Sequence, residues 1–214
     1  MTDAHEAPTA IDQIGPRLRD ERIRAGISQR ELARRLGLSP SLISQLESGQ
    51  SKPSVGTLYA IVTELGVSLD RVIRGDDGPG ARAPVSHSPA RSPLVHPADR
   101  HTIELDSGVR WEELTATTEQ DVDFLLATYE VGGASTPDQT LMRHHGREYG
   151  YVISGRLGIQ IGFDEYLLET GDSIAFDSTA PHRLFNRGDV PVRAVWFVAG
   201  RDGDGRRAAP SPHG

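Results

Sequence analysis

Apolar residues between positions 14 and 74 recur at helical spacing, and short turns interrupt them. Leu32 and Leu36 would share the inner face of one helix, and Ile43 and Leu46 that of the next. Serines stand where each helix would begin and glycines where each would end, as in capped helices. The serines are Ser28, Ser39, Ser54 and Ser68, and the glycines are Gly26, Gly37, Gly49 and Gly66. The pattern predicts an all-α region of five short helices.

The pattern changes after position 98, where short apolar runs alternate with Gly, Asp and Pro signals. Examples are Val152-Ile153, Leu157–Ile161 and Val192–Val198. Short runs with turn residues between them are typical of antiparallel strands in a sandwich or barrel. We therefore predict a multi-domain chain with an all-α N-terminal domain and an all-β C-terminal domain.

Five segments follow from these patterns. We predict a disordered lead-in over residues 1–13, a helical domain over 14–74, a linker over 75–97, a β domain over 98–199 and a disordered tail over 200–214. The linker holds five prolines and three glycines and shows no apolar period. Such a composition favours a semi-extended chain without a core.

Charge separates the two domains. The whole chain carries a net charge of −7, but residues 15–75 hold 10 basic and 6 acidic residues, and residues 98–200 hold 8 and 17. The basic part is the candidate for contact with nucleic acid. The chain has no cysteine, which excludes disulfides, thiolate metal sites and a cysteine nucleophile. Without a long apolar run or a signal peptide, we expect a cytoplasmic protein with no membrane contact.

Two of the predicted helices are joined by the short turn Gly37-Leu38-Ser39, as in a helix-turn-helix. Ser28 and Glu31 have the spacing of a capping box, and Pro40 suits the first position of the third helix. Small polar residues on the outer face of that helix suit the major groove of DNA. On periodicity alone, a five-helix bundle without a role in DNA binding remains the alternative.

The residues themselves resemble a known family. The segments ISQRELA from Ile27, GLS from Gly37 and ISQLESG from Ile43, followed by Lys52-Pro53, are similar to the phage-repressor or XRE family of DNA-binding domains. In that family the third helix reads bases, and an arginine of the first helix pairs with a glutamate, here Arg22 and Glu47. The resemblance implies DNA contacts by Gln29, Arg30, Pro40, Ser41, Ser44, Gln45, Gln50, Ser51 and Lys52. Pro40 could make only apolar contact.

The β domain contains candidate metal ligands. Two histidines and a carboxylate can bind a divalent ion such as Fe(II) on one face, and His144, Glu148 and His182 supply them. With eight histidines in the chain, a chance trio is the alternative. The two segments resemble the motifs of the cupin superfamily, a double-stranded β-helix or jelly roll, with Gly155 and Asn186 also matching. Met142 replaces the first histidine of that pattern, which leaves either three ligands for one divalent metal (Fe, Zn, Mn or Ni) or a pocket without metal.

Together the two resemblances imply a DNA-binding transcriptional regulator. In that class an XRE domain binds a roughly palindromic operator in double-stranded DNA as a homodimer, and a cupin domain senses a small-molecule effector or a metal. We therefore expect no catalytic residue. The alternative is a mononuclear non-haem iron oxygenase that resembles hydroxypropylphosphonate epoxidase, which shares this domain plan and the spacing of His144, Glu148 and His182.

Overall fold

A computed structural model describes residues 14–74, 93–116 and 122–200. The predicted lead-in, the linker up to residue 92 and the tail after residue 200 lie outside the described residues. The helices within the described part are α1 Ile14–Arg24, α2 Gln29–Leu36, α3 Pro40–Glu47, α4 Val55–Leu65 and α5 Leu69–Arg74. The strands are β1 Thr102–Leu105, β2 Val109–Glu113, β3 Val122–Tyr129, β4 Arg147–Ser154, β5 Leu157–Ile161, β6 Asp164–Leu168, β7 Ser173–Asp177, β8 His182–Phe185 and β9 Val192–Ala199.

Serine caps begin the helices as the sequence predicts. The hydroxyl groups of Ser28, Ser39 and Ser54 each accept a hydrogen bond of 3.1 Å from the backbone N–H three residues further on. The predicted capping box is only half formed. The carboxylate of Glu31 binds Arg34 and Arg35 instead of the backbone of Ser28, because two guanidinium groups one helical turn away are stronger partners than one amide.

The β domain consists of two antiparallel sheets. One has the strand order β1-β2-β3-β9-β4-β7, and the other has the order β6-β5-β8. Side chains alternate between the two faces, so Tyr149 and Tyr151 of β4 are exposed while Glu148 and Val152 are buried. The inner faces of the two sheets close around an apolar core that surrounds the candidate metal ligands. This arrangement confirms the predicted all-β domain.

The buried apolar residues of the two domains form one contiguous cluster. Two backbone hydrogen bonds join the domains, from the N–H of Gly56 to the carbonyl of Ser135 at 3.0 Å and from the N–H of Asp106 to the carbonyl of Pro53 at 2.9 Å. The helical domain is therefore packed directly on the β domain. Among the described residues, no helix has the length and apolar character needed to cross a bilayer.

Candidate functional site

The outer surface of α3 carries the predicted base-reading residues. Its inner side buries Ile43, Leu46 and Glu47, whereas Ser44 and Gln45 are exposed. The other predicted DNA contacts are also at the surface, with Gln29 and Ser51 partly buried: Arg30, Pro40, Ser41, Gln50 and Lys52 are exposed. The predicted residues therefore lie on the exposed surface around one helix, where short polar side chains could reach base edges.

A buried ion pair fixes α3 against α1. The guanidinium of Arg22 donates to both carboxylate oxygens of Glu47, at 2.5 and 2.8 Å, and also to the carbonyl of Ile27 at 2.7 Å. The pKa of Arg22 is raised by its hydrogen bond with Glu47. Gln29 completes the cluster, because its amide N–H donates to Glu47 at 2.7 Å. The sequence indicated the Arg22–Glu47 pair. It did not indicate that the amide nitrogen of Gln29 is engaged in a hydrogen bond within the protein.

Arg22→Ala is expected to lower the free energy of unfolding by about 3 kcal/mol, because it leaves the carboxylate of Glu47 buried without its main partner. Urea unfolding followed by circular dichroism measures the change. Arg19→Ala is the matched control, since Arg19 lies on the same helix and is exposed. A loss from Arg22→Ala no larger than that from Arg19→Ala would contradict a structural role for the pair.

Positive charge beside α3 comes from a few side chains. Arg30 and Lys52 are exposed and make no ion pair with any residue that the structure describes. By contrast, Arg34 and Arg35 pair with Glu31, and Arg35 also pairs with Glu64. Arg30 and Lys52 are thus available for phosphate oxygens, whereas the two following arginines of α2 are already compensated.

The three predicted metal ligands meet inside the β domain. The Nε2 atom of His144 lies 2.9 Å from Oε1 of Glu148, and the Nε2 atom of His182 lies 3.0 Å from the same oxygen. One ligand atom from each residue lies within 4.8 Å of the others, and all three residues are buried. The structure therefore brings together side chains from two separate segments of the sequence.

Backbone pairing creates this meeting. Met142 forms an isolated bridge with His182, through two hydrogen bonds of 2.9 Å between their N–H and carbonyl groups. Two residues after Met142, His144 faces inward again, while His145 is exposed. Glu148 follows on β4 as a buried member of the alternating strand pattern. The segment after the Met142 bridge, strand β4 and strand β8 thus each place one inward side chain at the site.

Hydrogen bonds at Nδ1 orient both histidine rings so that Nε2 can bind a cation. Nδ1 of His144 donates to the carbonyl of His145 at 3.0 Å, and Nδ1 of His182 donates to the carbonyl of Ala180 at 2.8 Å. Each neutral ring therefore presents the lone pair of its Nε2. These two Nε2 atoms and Oε1 of Glu148 are buried and have no hydrogen-bond partner of acceptable geometry among the described residues.

The spacing of these atoms fits a metal ion. Ligand atoms bound at about 2.1 Å and at right angles to each other are about 3.0 Å apart. The separations from Oε1 of Glu148 to the two histidine nitrogens match that value. Burial raises the pKa of Glu148, but the closeness of His144 and His182 outweighs burial and holds the pKa well below its usual range. The site thus offers an ionised carboxylate and two imidazoles.

Two aromatic residues that the sequence did not indicate complete the site. Trp196 of β9 donates its indole N–H to the second oxygen of Glu148 at 2.7 Å. Gly150 makes room for this indole, because a Cβ at that position would lie 2.0 Å from the Trp196 ring. Tyr59 of α4 stacks on the ring of His144 with centroids 4.3 Å apart. Neither contact has a local sequence signal, since the partners are distant in the chain.

The arginines near the ligands in sequence do not face them. Arg143 and Arg147 are exposed beside the buried ligands His144 and Glu148. Arg183 follows His182 on β8, donates to the carbonyl of Thr136 and lies over the ring of Phe185. These arginines therefore point away from the ligands, because adjacent residues of an extended chain face opposite ways.

Comparison with known proteins identifies both domains. A family profile described as "Helix-turn-helix" matches residues 18–72, and one described as "Cupin domain" matches residues 125–198. The HTH-type transcriptional regulator PuuR of Escherichia coli is 28% identical over 188 residues, which are 87% of this chain and 91% of that protein. This chain is a helix-turn-helix transcriptional regulator of the XRE type with a cupin domain.

A solved structure of another regulator agrees with this chain in fold. The crystal structure of an HTH_3 family transcriptional regulator from Vibrio cholerae aligns with a TM-score of 0.62 and 20% identity, over 89% of this chain and 98% of that one. The hydroxypropylphosphonic acid epoxidase of S. wedmorenis aligns over 90% of this chain and all of that one, with 21% identity and a TM-score of 0.42. A similarity this weak does not support the oxygenase alternative. The curated relatives are transcriptional regulators, which supports the prediction of a regulator.

Proposed function

We propose that this regulator binds a two-fold symmetric operator as a homodimer, and that a divalent metal in its cupin domain controls the binding. The single observation that carries the DNA-binding part is the exposed polar face of α3, held in place from behind by the Arg22–Glu47 pair. A helix with short polar side chains outward and a fixed inner side fits the reading helix of a helix-turn-helix. Such a protein acts where the chromosome is, so we place it in the cytoplasm.

Base recognition is assigned to the outer side of α3. Ser41, Ser44 and Gln45 can donate to and accept from base edges in the major groove, and a glutamine amide suits adenine. Pro40 offers only apolar contact, such as with the methyl group of thymine. Gln29 is assigned a smaller part, because its amide nitrogen already donates to Glu47 and only its carbonyl oxygen remains for DNA.

Phosphate contacts are assigned to the margins of this face. Arg30 lies on α2, and Gln50, Ser51 and Lys52 follow α3. Such residues position the protein on the duplex without reading its sequence. Lys52→Ala should therefore weaken binding to all DNA sequences alike and reduce the slope of log affinity against log salt by about 1. Fluorescence anisotropy at several salt concentrations measures the slope, and a selective loss for one sequence would contradict the assignment.

Dimerisation is assigned to the outer face of the six-stranded sheet. Tyr149, Tyr151 and Ile153 are exposed there. Phe197 lies between Phe124 and Tyr149 in register and contacts both rings. Arg147 lies beside these rings, 6.0 Å from the centre of the Tyr149 ring. An aromatic face of this kind is typical of interfaces, and a second copy of the chain would cover it while placing two α3 helices on one duplex.

Tyr151→Arg is expected to convert the dimer to a monomer, because it places a charge at the centre of this aromatic face. Light scattering coupled to gel filtration measures the mass in solution. Val190→Arg is the matched control, since Val190 is an exposed apolar residue outside the face. A mass for the Tyr151→Arg protein equal to that of the control dimer would show that the interface lies elsewhere.

The cupin site would hold one divalent ion through His144, Glu148 and His182. Iron, zinc, manganese and nickel all accept imidazole and carboxylate ligands. When bound, the metal supplies a Lewis-acidic centre with coordination positions for a small-molecule donor. A groove of about 720 Å³ between β6 and β7 has Phe176 in its wall, and the Phe176 ring lies 5.1 Å from that of His182. We propose this groove as the route of a small-molecule effector.

Selection of bound fragments from sheared genomic DNA tests the proposed function. The selection is done with the full-length wild type and at physiological salt, because basic domains bind any DNA when salt is low. We expect enrichment of one two-fold symmetric sequence. A wild-type protein that enriches no sequence, with or without added divalent metal, would overturn the proposal of an operator-binding regulator.

A further inference from the structure

Tyr59 belongs to the helical domain but forms part of the wall of the metal centre. It lies on α4, is buried, and stacks on His144 with an angle of 9° between the ring planes. Two of its other contacts also come from the β domain. Trp111 packs edge-on at 5.7 Å, and the hydroxyl of Tyr59 donates to Asp123 at 3.3 Å. A residue of the DNA-binding domain thus contacts a candidate metal ligand directly.

Close backbone packing holds α4 in this place. A Cβ at Gly56 would lie 2.6 Å from the side chain of Thr136, so a larger residue would force either Thr136 or α4 to shift. The N–H of Gly56 donates to the carbonyl of Ser135. Met142, which stands at the usual position of the first histidine in cupins, packs under Gly56 and contributes to the same interface.

A buried ion pair closes the interface at the far end of the helical domain. Arg74 of α5 lies 2.9 Å from Glu113 of β2, and both side chains are nearly inaccessible to water. Arg74 also donates to the carbonyls of Thr115 and Ala116. The two domains therefore have one defined docked arrangement, in which Tyr59 covers His144.

The stack restricts the ligand ring. His144 is held by the carbonyl of His145 at Nδ1 and by the face of Tyr59 over its plane, so its Nε2 is kept beside Glu148. If α4 moved away, the ring would lose one of these restraints and gain access to water. Groups that orient a ligand in this way raise metal affinity.

We propose that Tyr59 is a positioning residue of the metal centre, and that it couples metal binding to the docking of α4 on the β domain. This inference rests on the proposed metal site. Because linkage is reciprocal, a docked arrangement that binds the metal more tightly is itself stabilised by the metal. The metal thereby fixes the orientation of α3 relative to the β domain, and through the dimer it sets the distance between the two reading helices.

Zinc affinity in variants of the full-length chain tests the positioning role. Tyr59→Leu fills the space without an aromatic face, and Tyr59→Phe keeps the face and removes the hydroxyl. Thr63→Ala is the matched control, because Thr63 is exposed on the same helix. In competition with a chromophoric chelator, we expect Tyr59→Leu to bind zinc at least about tenfold more weakly than the wild type. Tyr59→Phe and Thr63→Ala should stay within about threefold, as neither removes the stack.

Hydrogen exchange gives a readout that a merely structural residue would not affect. The amides of Gly56 and Asp106 donate across the domain interface and report docking. Zinc should slow the exchange of both amides in the wild type and in Tyr59→Phe, but not in Tyr59→Leu. Circular dichroism first establishes that each variant is folded without metal, and Tyr59→Met replaces Tyr59→Leu if the latter unfolds.

Three results are decisive. Weaker zinc binding together with the loss of zinc-dependent protection in Tyr59→Leu supports the inference. Equal zinc affinity in Tyr59→Leu and the wild type, or unchanged exchange in the wild type on adding zinc, overturns the coupling while leaving the metal site intact. Failure of the wild type to bind zinc at all overturns both the inference and the proposed metal site.

Discussion

We expect His182→Ala to lose metal binding almost completely, with at least a hundredfold weaker affinity for zinc. The variant removes one of three buried ligands and leaves two donor groups, Glu148 and His144, in a site that is too sparse to hold a divalent ion against water. His182 is also the most enclosed ligand, with no accessible surface and its Nδ1 bound to the carbonyl of Ala180. Metal content by mass spectrometry and chelator competition measure the loss.

His145→Ala provides the matched control for this experiment. His145 is adjacent to a proposed ligand but exposed on the other side of the chain, so its replacement should leave zinc affinity unchanged. The comparison separates the buried site from adventitious binding by surface histidines. Equal metal content in His182→Ala and His145→Ala proteins would show that the three buried residues are not a metal site.

We expect the double variant Ser44→Ala and Gln45→Ala to lose most of its preference for the operator over other sequences. A good base contact contributes about 1–3 kcal/mol of discrimination, so two lost contacts correspond to at least about a thirtyfold loss of specificity. Both residues are exposed, whereas Ile43 and Leu46 carry the packing of α3, so the fold should survive. Competition between operator and random duplexes at fixed salt measures the ratio.

In the same assay, Lys52→Ala distinguishes a loss of base recognition from a loss of general affinity for DNA. Its loss of a phosphate contact should weaken binding to operator and random duplexes equally and leave their ratio unchanged. Circular dichroism of the double variant establishes that it is folded. If the double variant keeps the specificity ratio of the wild type, then Ser44 and Gln45 of α3 do not read bases.

The local rules of helices and strands made much of the fold predictable. Ser28, Ser39 and Ser54 cap their helices as their positions indicate, because a cap depends only on residues within one turn. The half-formed capping box shows the limit of the rule. Its outcome depends on competition between Arg34, Arg35 and a backbone amide for the same Glu31 carboxylate, and spacing alone does not rank such partners.

The site residues that belong to sequence motifs were predictable. Those that reach the site only through tertiary packing were not. His144, Glu148 and His182 come together as their motif indicates. Tyr59 and Trp196 were missed because an aromatic residue in a helix or strand has the same pattern whether it fills a core or touches a ligand. Their contacts depend on how α4 and β9 pack against the metal site, and the hydrophobic periodicity of the sequence does not predict that packing. The role of Gln29 as a partner of Glu47 was hidden for the same reason.

The measurement that tests the central claim most directly is the affinity of the full-length protein for its selected operator, with and without zinc. If the metal site controls DNA binding, zinc changes the operator affinity of the wild type by at least about fivefold, the lower end of common allosteric couplings. The same change must be absent from His182→Ala and present in His145→Ala. An operator affinity that is identical with and without zinc in the wild type would contradict control of DNA binding by the cupin site.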